Sequence, residues 1–270
     1  MMAYRSSSAS WCLRLGPFLL SLLLVACAGG GAPPGEEPRT ASDQTEAERR
    51  AAVRVELASG YLARGQYNTA LDEVKQALAV KPDYRDALNL RGLIYAALGE
   101  LGMAEENFRR TLNLYPRDGD TLHNYGWFLC QQRRWNEAFV QFDLAVAQPQ
   151  YRGTARSLLA KGVCEARAGR DADALRSLQR SFELDPSNPA TAVNLAELLL
   201  RSGALERAQF YVKRVNSQAE LSNAESLWLA LRIERRLGNR AAVEELSQQL
   251  RRRFPQSPQA ERLDRGQFDE

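Results

Sequence analysis

Few side chains in this sequence have the chemistry to do more than pack or solvate. There are four cysteines, Cys12, Cys27, Cys130 and Cys164, and a single histidine, His123, among 270 residues. A thiol can be acylated, can bridge to another thiol or can ligate a metal, and an imidazole can carry a proton near neutral pH. One histidine is too few for most histidine-based metal clusters. No Walker loop, Rossmann glycine pattern, Gly-x-Ser-x-Gly elbow or His-Glu-x-x-His stretch accompanies it. The sequence therefore nominates no catalytic residue, no metal site and no cofactor, and reads as a non-enzyme. His123 lies in the run Leu122, His123, Asn124, Tyr125, Gly126, Trp127, Phe128 near the start of a predicted helix. There it reads as a helix residue without chemistry.

Cys27 is the most informative of the thiols. Arg5 and Arg14 precede an almost uninterrupted apolar run, Leu15 to Val25, that has signal-peptide length and is too short to span a bilayer as a mature helix. The run closes on Leu24, Val25, Ala26 and Cys27, which resembles a bacterial lipobox. That resemblance implies cleavage before Cys27, so that 1–26 is a lipoprotein signal peptide and Cys27 is the lipidated first residue. The alternative is an ordinary secretory signal cut at an Ala-x-Ala-like site. Ala28 follows where an aspartate implies inner-membrane retention, so the resemblance points to the periplasmic face of the outer membrane. Residues 27–47 read as a lipidated, disordered tether, because Gly, Pro, Glu, Ser and Thr leave too few apolar side chains to offset ordering entropy.

Cleavage removes Arg5 and Arg14 and takes 36 basic side chains to 34, against 33 acidic ones. A near-neutral mature chain carries no general nucleic-acid footprint, and no small-molecule substrate is indicated.

The elements that position these residues come from an internal repeat. Pro82 and Pro116, 34 residues apart, bring Ala58 onto Gly92, Tyr61 onto Tyr95, Gly65 onto Gly99, Ala70 onto Ala104 and Val74 onto Phe108. The frame continues through Gly126, Ala138, Phe142 and Ala145, then Gly162, Gly169, Ala174 and Pro186, then Ala196, Gly203 and Ala208, and finally Leu227, Gly238, Ala242 and Pro255. Small residues let two helices approach, larger ones fill the space between units, a glycine permits the turn and a proline ends the second helix. The pattern resembles the tetratricopeptide repeat, a 34-residue helix-turn-helix unit named as such among known repeat periods. It implies an all-α solenoid of about six units over 48–256, with a short capping helix in the segment 257–270. Departures are Arg91 and Lys161 in aliphatic slots, Arg133 in place of a turn glycine, and two extra residues around Pro149 to Gly153, where an irregular bend or offset is expected.

Cys130 and Cys164 fall on the first helices of adjacent units. A bridge and separate buried thiols are both open. Packed helix axes lie about 8–10 Å apart and a disulfide needs Cα atoms within about 7 Å, which favours separate thiols.

In the repeat family the first helices line an inner groove. Carrying those slots over gives Ala52, Val55, Ser59, Leu62 and Ala63 in unit one, and Asp86, Asn89, Leu93, Ala96 and Ala97 in unit two. Trp127 takes another such slot, where it can anchor a partner or pack into the core. The partner-binding groove is expected at Val55, Ser59, Leu62, Asn89, Leu93, Ala96 and Trp127, the apolar half, unless residues before Val53 fold back over it. The later slots hold Arg156, Arg167, Glu197, Arg201, Arg232, Arg235 and Arg236, a charged half. Val55 and Ser59 replace the lysine and asparagine of the clamp with which some tetratricopeptide domains hold acidic C-termini. The run Arg251 to Arg253 ends a predicted helix and reads as a solvated face.

A narrower resemblance rests on the lipobox, the six-unit layout, the stretch Leu122 to Cys130, the segment Glu183 to Pro189 and the ending Leu250 to Pro258. Together these resemble the PilF/PilW family of type IV pilus lipoproteins. Membership implies a pilotin, a lipid-anchored adaptor that binds the outer-membrane secretin of the type IV pilus and promotes its localisation and multimerisation. A second expectation from the same anchor and repeats is a scaffold for outer-membrane protein assembly or cell-wall hydrolases.

Overall fold

A computed structural model describes residues 44–268. The expected signal peptide 1–26, Cys27 and the expected tether up to residue 43 lie outside the described residues, as do 269–270. Thirteen helices and no strand occur among the described residues. Twelve of them form six antiparallel pairs. Unit one is α1 (Glu46–Ala63) and α2 (Tyr67–Val80), and unit two is α3 (Arg85–Leu98) and α4 (Leu101–Leu114). Unit three is α5 (Gly119–Gln131) with α6 (Trp135–Val146), and unit four is α7 (Thr154–Arg167) with α8 (Asp171–Leu184). Units five and six are α9 (Pro189–Arg201) with α10 (Leu205–Asn216) and α11 (Ala224–Arg236) with α12 (Arg240–Arg253). The short α13 (Pro258–Asp264) packs on α11 and α12 as the expected cap.

Within each unit the two helices pack on one another, each second helix packs on the next first helix, and first helices contact first helices in series. This is the tetratricopeptide solenoid that the repeat predicts. The reason is visible at the small residues. Gly92 is buried under the Phe108 ring, so close that a Cβ there would lie 2.7 Å from the ring. Only a residue without a side chain lets α3 and α4 come so near. Ala58, Ala70, Ala104, Ala138, Ala174, Ala196 and Ala208 are fully buried, with Phe108, Phe142 and Leu178 filling the space between units. Burying each of those larger side chains is worth about 1.5–3 kcal/mol.

Local chemistry sets the helix ends. The Thr45 hydroxyl accepts from the Glu48 amide while the Glu48 carboxylate accepts from the Thr45 amide, a capping box that starts α1 two residues before the expected solenoid boundary. Residues 46–52 continue α1 and do not fold back over the groove face. Asp118 caps α5, and Asn188 caps α9 ahead of Pro189. Five inter-helix turns place a glycine at positive φ, and the sixth places Arg133 there, at φ 57. Arg133 is thus forced into the conformation that its repeat position demands.

The polar departures from the repeat are satisfied in place. Arg91 donates to Asn107 Oδ1 at 2.5 Å, and Lys161 pairs with Asp143 and Glu165. The Arg251 to Arg253 run is exposed, as expected, and two of its members also tie neighbouring segments together. Arg253 donates to the carbonyls of Ala219 and Ser222 and to Ser222 Oγ, and Arg251 pairs with Asp264 of α13.

The expectation of separate thiols is overturned: Cys130 and Cys164 form a disulfide, with Cα atoms 5.9 Å apart. Axis spacing misleads here because Cα atoms ride on a cylinder of about 2.3 Å radius. Facing Cα atoms on helices whose axes are about 8–10 Å apart therefore approach to roughly 3.5–5.5 Å at closest, within bridging range. The extra residues before α7 form a loop that leaves α5 and α7 in contact. Its Tyr151 ring lies on Gly119, which has no side chain to obstruct it.

Candidate partner-binding surfaces

The expected groove residues fall on consecutive first helices. Val55, Ser59 and Leu62 share one face of α1, Asn89, Leu93 and Ala96 the same face of α3, and Trp127 lies on α5. Contacts of α1 with α3 and of α3 with α5 bring the three helices side by side. Ser59 is exposed and the other six are half-buried. Several are partly engaged. Leu62 packs against the core of unit one, Leu93 against the cores of both unit one and unit three, and Asn89 accepts from Asn124 Nδ2 at 3.1 Å. Trp127 packs against the core of unit three while the Arg167 guanidinium lies 5.2 Å from its ring centroid. The face is firm, with Ser59, Ala63 and Ala97 as its most open positions.

The charged half of the face is largely neutralised from within. Arg156 binds Asp120, Arg201 binds Asp171, Arg232 binds Glu197, and Arg236 donates to the Leu200 carbonyl. Each link joins a first helix to a helix of the preceding unit. The groove arginines are mostly ties between units rather than free charges.

A second apolar surface escaped the groove reading. Val53 and Leu57 of α1 are 58% and 44% exposed, and with Ala79 and Val80 of α2 they line a cleft of about 840 Å³ rimmed by Glu46, Arg49, Arg50 and Arg54. One signal for it was present in the sequence. Val53 stands 34 residues before Ala87, which is fully buried at the contact with unit one. Unit one has no preceding unit among the described residues, so the equivalent face stays open.

The polar networks between units are structural. Arg134 reaches Glu105 at 2.6 Å and also Glu137, and the Tyr125 hydroxyl donates to Glu105 at 2.9 Å. Hydrogen bonding to Arg134 holds the Glu105 carboxyl below its ordinary range, and burial, with Glu105 next, pushes the Tyr125 phenol up to about 12. His123 Nδ1 lies 2.9 Å from Ser157 Oγ, which also meets the Tyr151 hydroxyl at 2.9 Å. Burial, followed by the nearby Arg156 charge, pushes the imidazole down to about 4. Ser157 is fully buried, so this pair offers a substrate no access. No group of three or more His, Cys, Asp or Glu positioned to hold a metal occurs among the described residues, and no described helix is long and apolar enough to cross a membrane.

Tetratricopeptide-repeat family patterns match residues 59–99, 86–118 and 166–231. The type IV pilus assembly protein PilF of Pseudomonas aeruginosa is 28% identical over 89% of this chain and 93% of its own length. Among solved structures, PilW, described as a widely conserved type IV pilus biogenesis factor, is 32% identical with a TM-score of 0.71, covering 79% of this chain and 97% of PilW. The structure of Pseudomonas aeruginosa PilF has the same TM-score of 0.71 at 25% identity, covering 82% of this chain and all of that one. With the repeat, the capped solenoid and these two structures in agreement, the chain belongs to the PilF/PilW family of tetratricopeptide-repeat proteins.

Proposed function

We propose that this protein is an adaptor of type IV pilus biogenesis, a pilotin that binds the pilus secretin and promotes its multimerisation at the outer membrane. The observation that carries the reading is the likeness to PilW, which extends over 97% of that pilus biogenesis factor. A scaffold without a catalytic centre acts by affinity and position. In this reading Cys27 carries the lipid that holds the chain at the periplasmic face of the outer membrane. Affinity comes from the exposed surface of units one and two, where the groove face of α1 and α3 and the cleft at Val53 and Leu57 can take an apolar helix or extended segment.

Deleting the gene tests it. Surface pili should be lost, and the secretin should run as monomer or fractionate with the wrong membrane. Normal secretin rings in the deletion strain would overturn the assignment.

A further inference from the structure

The far end of the groove face holds a feature that the pilus reading does not use. After α13 the chain turns at Gly266, at φ 67, with Gln267 N donating to the Arg262 carbonyl at 2.9 Å. This turn brings Phe268 back onto α11. Its ring stacks on Trp228, with centroids 5.4 Å apart and planes 15° from parallel, and the Arg235 guanidinium lies 4.1 Å from its centroid. Trp228 and Arg235 are two turns apart on α11, on the face that the first helices present to the groove.

Two observations mark this contact as a site and not only as packing. Trp228 is 5% exposed, yet its indole N–H has no hydrogen-bond partner among the described residues. A buried donor left unmatched is destabilising, and the Phe268 ring that stacks on the indole supplies no acceptor for it. Arg235, unlike Arg156, Arg201, Arg232 and Arg236, has no carboxylate or carbonyl partner among the described residues, and its only interaction is with the Phe268 ring. A free guanidinium beside an aromatic seat favours an acidic segment that brings an aromatic side chain and a carbonyl or carboxylate for the indole. The seated segment already has part of that chemistry, since Phe268 is followed in sequence by Asp269 and Glu270.

We propose that Trp228 and Arg235 form a slot for an aromatic side chain on an acidic segment of a partner protein, and that Phe268 fills this slot in the resting chain. The tail is then a competitor built into the fold, and a partner binds by displacing it. The inference is independent of the secretin reading, because the slot lies in unit six, at the opposite end of the array from Val53 and Leu57.

The test is fluorescence anisotropy of a labelled peptide, Gln-Phe-Asp-Glu, with the full chain. Replacing Phe268→Ala vacates the slot and should tighten peptide binding about tenfold, since the wild type is competent only in the fraction of molecules whose tail is released. Gly266→Val strains the left-handed turn without touching either ring, nothing lying within 4 Å of a Cβ there, and should act in the same direction. Adding Arg235→Glu to Phe268→Ala should abolish the gain, as should an alanine in place of the peptide's phenylalanine. Equal affinity of the wild type and both tail variants overturns the proposal, as does equal binding of the alanine peptide. A wild-type dimer that Phe268→Ala dissociates also overturns it, because the ring would then be seated on a second copy.

Discussion

Cys130 on α5 and Cys164 on α7 are covalently joined across a sequence separation of 34. The bridge links the third and fourth units where the repeat spacing is broken by extra residues and where Arg133 replaces a turn glycine. Closing a loop of that length removes about 3–4 kcal/mol of unfolded-state entropy in the chain-entropy model. The Cys130→Ala, Cys164→Ala double variant is expected to lose about that much stability in a urea titration, and non-reducing gels should show the wild type migrating faster than its reduced form. Free thiols that alkylate in the native protein would contradict the bridge.

Arg133 supplies the opposite experiment. A non-glycine residue in the left-handed region costs about 1–2 kcal/mol, and no hydrogen bond or ion pair of the Arg133 side chain occurs among the described residues to offset it. Part of the relief is lost again to the greater freedom of glycine in the unfolded chain. Arg133→Gly should raise the stability by about 0.5–1 kcal/mol. An unchanged or lowered melting temperature would show that the turn tolerates arginine without strain.

His123 makes stability depend on pH with a definite sign. The unfolded imidazole takes a proton near 6.5 and the buried one only near 4, so between those values the unfolded chain binds more protons. Stability therefore falls as the pH drops through that window, by roughly 3 kcal/mol in total if no other group moves. His123→Gln, which keeps a hydrogen-bonding side chain opposite Ser157, should flatten this part of the profile. The comparison is the difference between the two proteins' unfolding free energies at pH 7 and pH 4.5, and parallel profiles would rule out the histidine as the source.

Gly92 tests the packing that defines the repeat. A methyl group there meets the Phe108 ring at 2.7 Å, and neither helix can withdraw without disturbing its neighbours. Gly92→Ala should cost about 1–3 kcal/mol, the range for overpacking a close-packed core. Equal stability to wild type would mean that the α3 and α4 contact is looser than the structure shows.

The surface at unit one can be tested without disturbing the core. Val53 and Leu57 are exposed, so Val53→Glu with Leu57→Glu should change stability by less than about 1 kcal/mol. The pair should weaken co-purification of the secretin if the cleft holds it. Charged residues at Leu62 or Leu93 are poorer probes, since both side chains pack against buried clusters. Unchanged recovery of the secretin with folded double variant would move the site elsewhere.

If Cys27 carries the proposed lipid, Cys27→Ser separates the anchor from the array. Binding to the partner should persist in detergent extracts while membrane fractionation shows the complex misplaced. Retention in the outer-membrane fraction would remove the lipid from the mechanism.

The sequence made the helix pairs legible because one spacing recurs with a mechanical reason at each position: Gly92 and Gly126 for close approach, Phe108 and Phe142 for filling, Gly99 for the turn. The cap was legible for a related reason, as Ser257 and Pro258 are a helix start following the last unit. The bridge was not, because reasoning from helix axes overlooked how far the Cα atoms project toward each other. The groove was located by phase, yet phase cannot say that Leu93 is already held by two buried clusters or that Arg156, Arg201 and Arg232 are neutralised across unit boundaries. The open cleft at Val53 and Leu57 follows from asking which face an end unit leaves uncovered, a question that the internal pattern of a repeat does not raise.

The bridge between α5 and α7 also fixes a load path. When tension is applied to the two ends of the chain, it crosses from Cys130 to Cys164 through a covalent bond, and α6 with its flanking loops lies on a closed branch that carries none of it. The extension available to the fully unravelled chain is shortened by roughly 110–120 Å, the contour length of the bypassed segment. In the proposed adaptor, held at one end by a lipid and at the other by a partner, the chain can therefore yield on either side of this point while α6 stays unloaded.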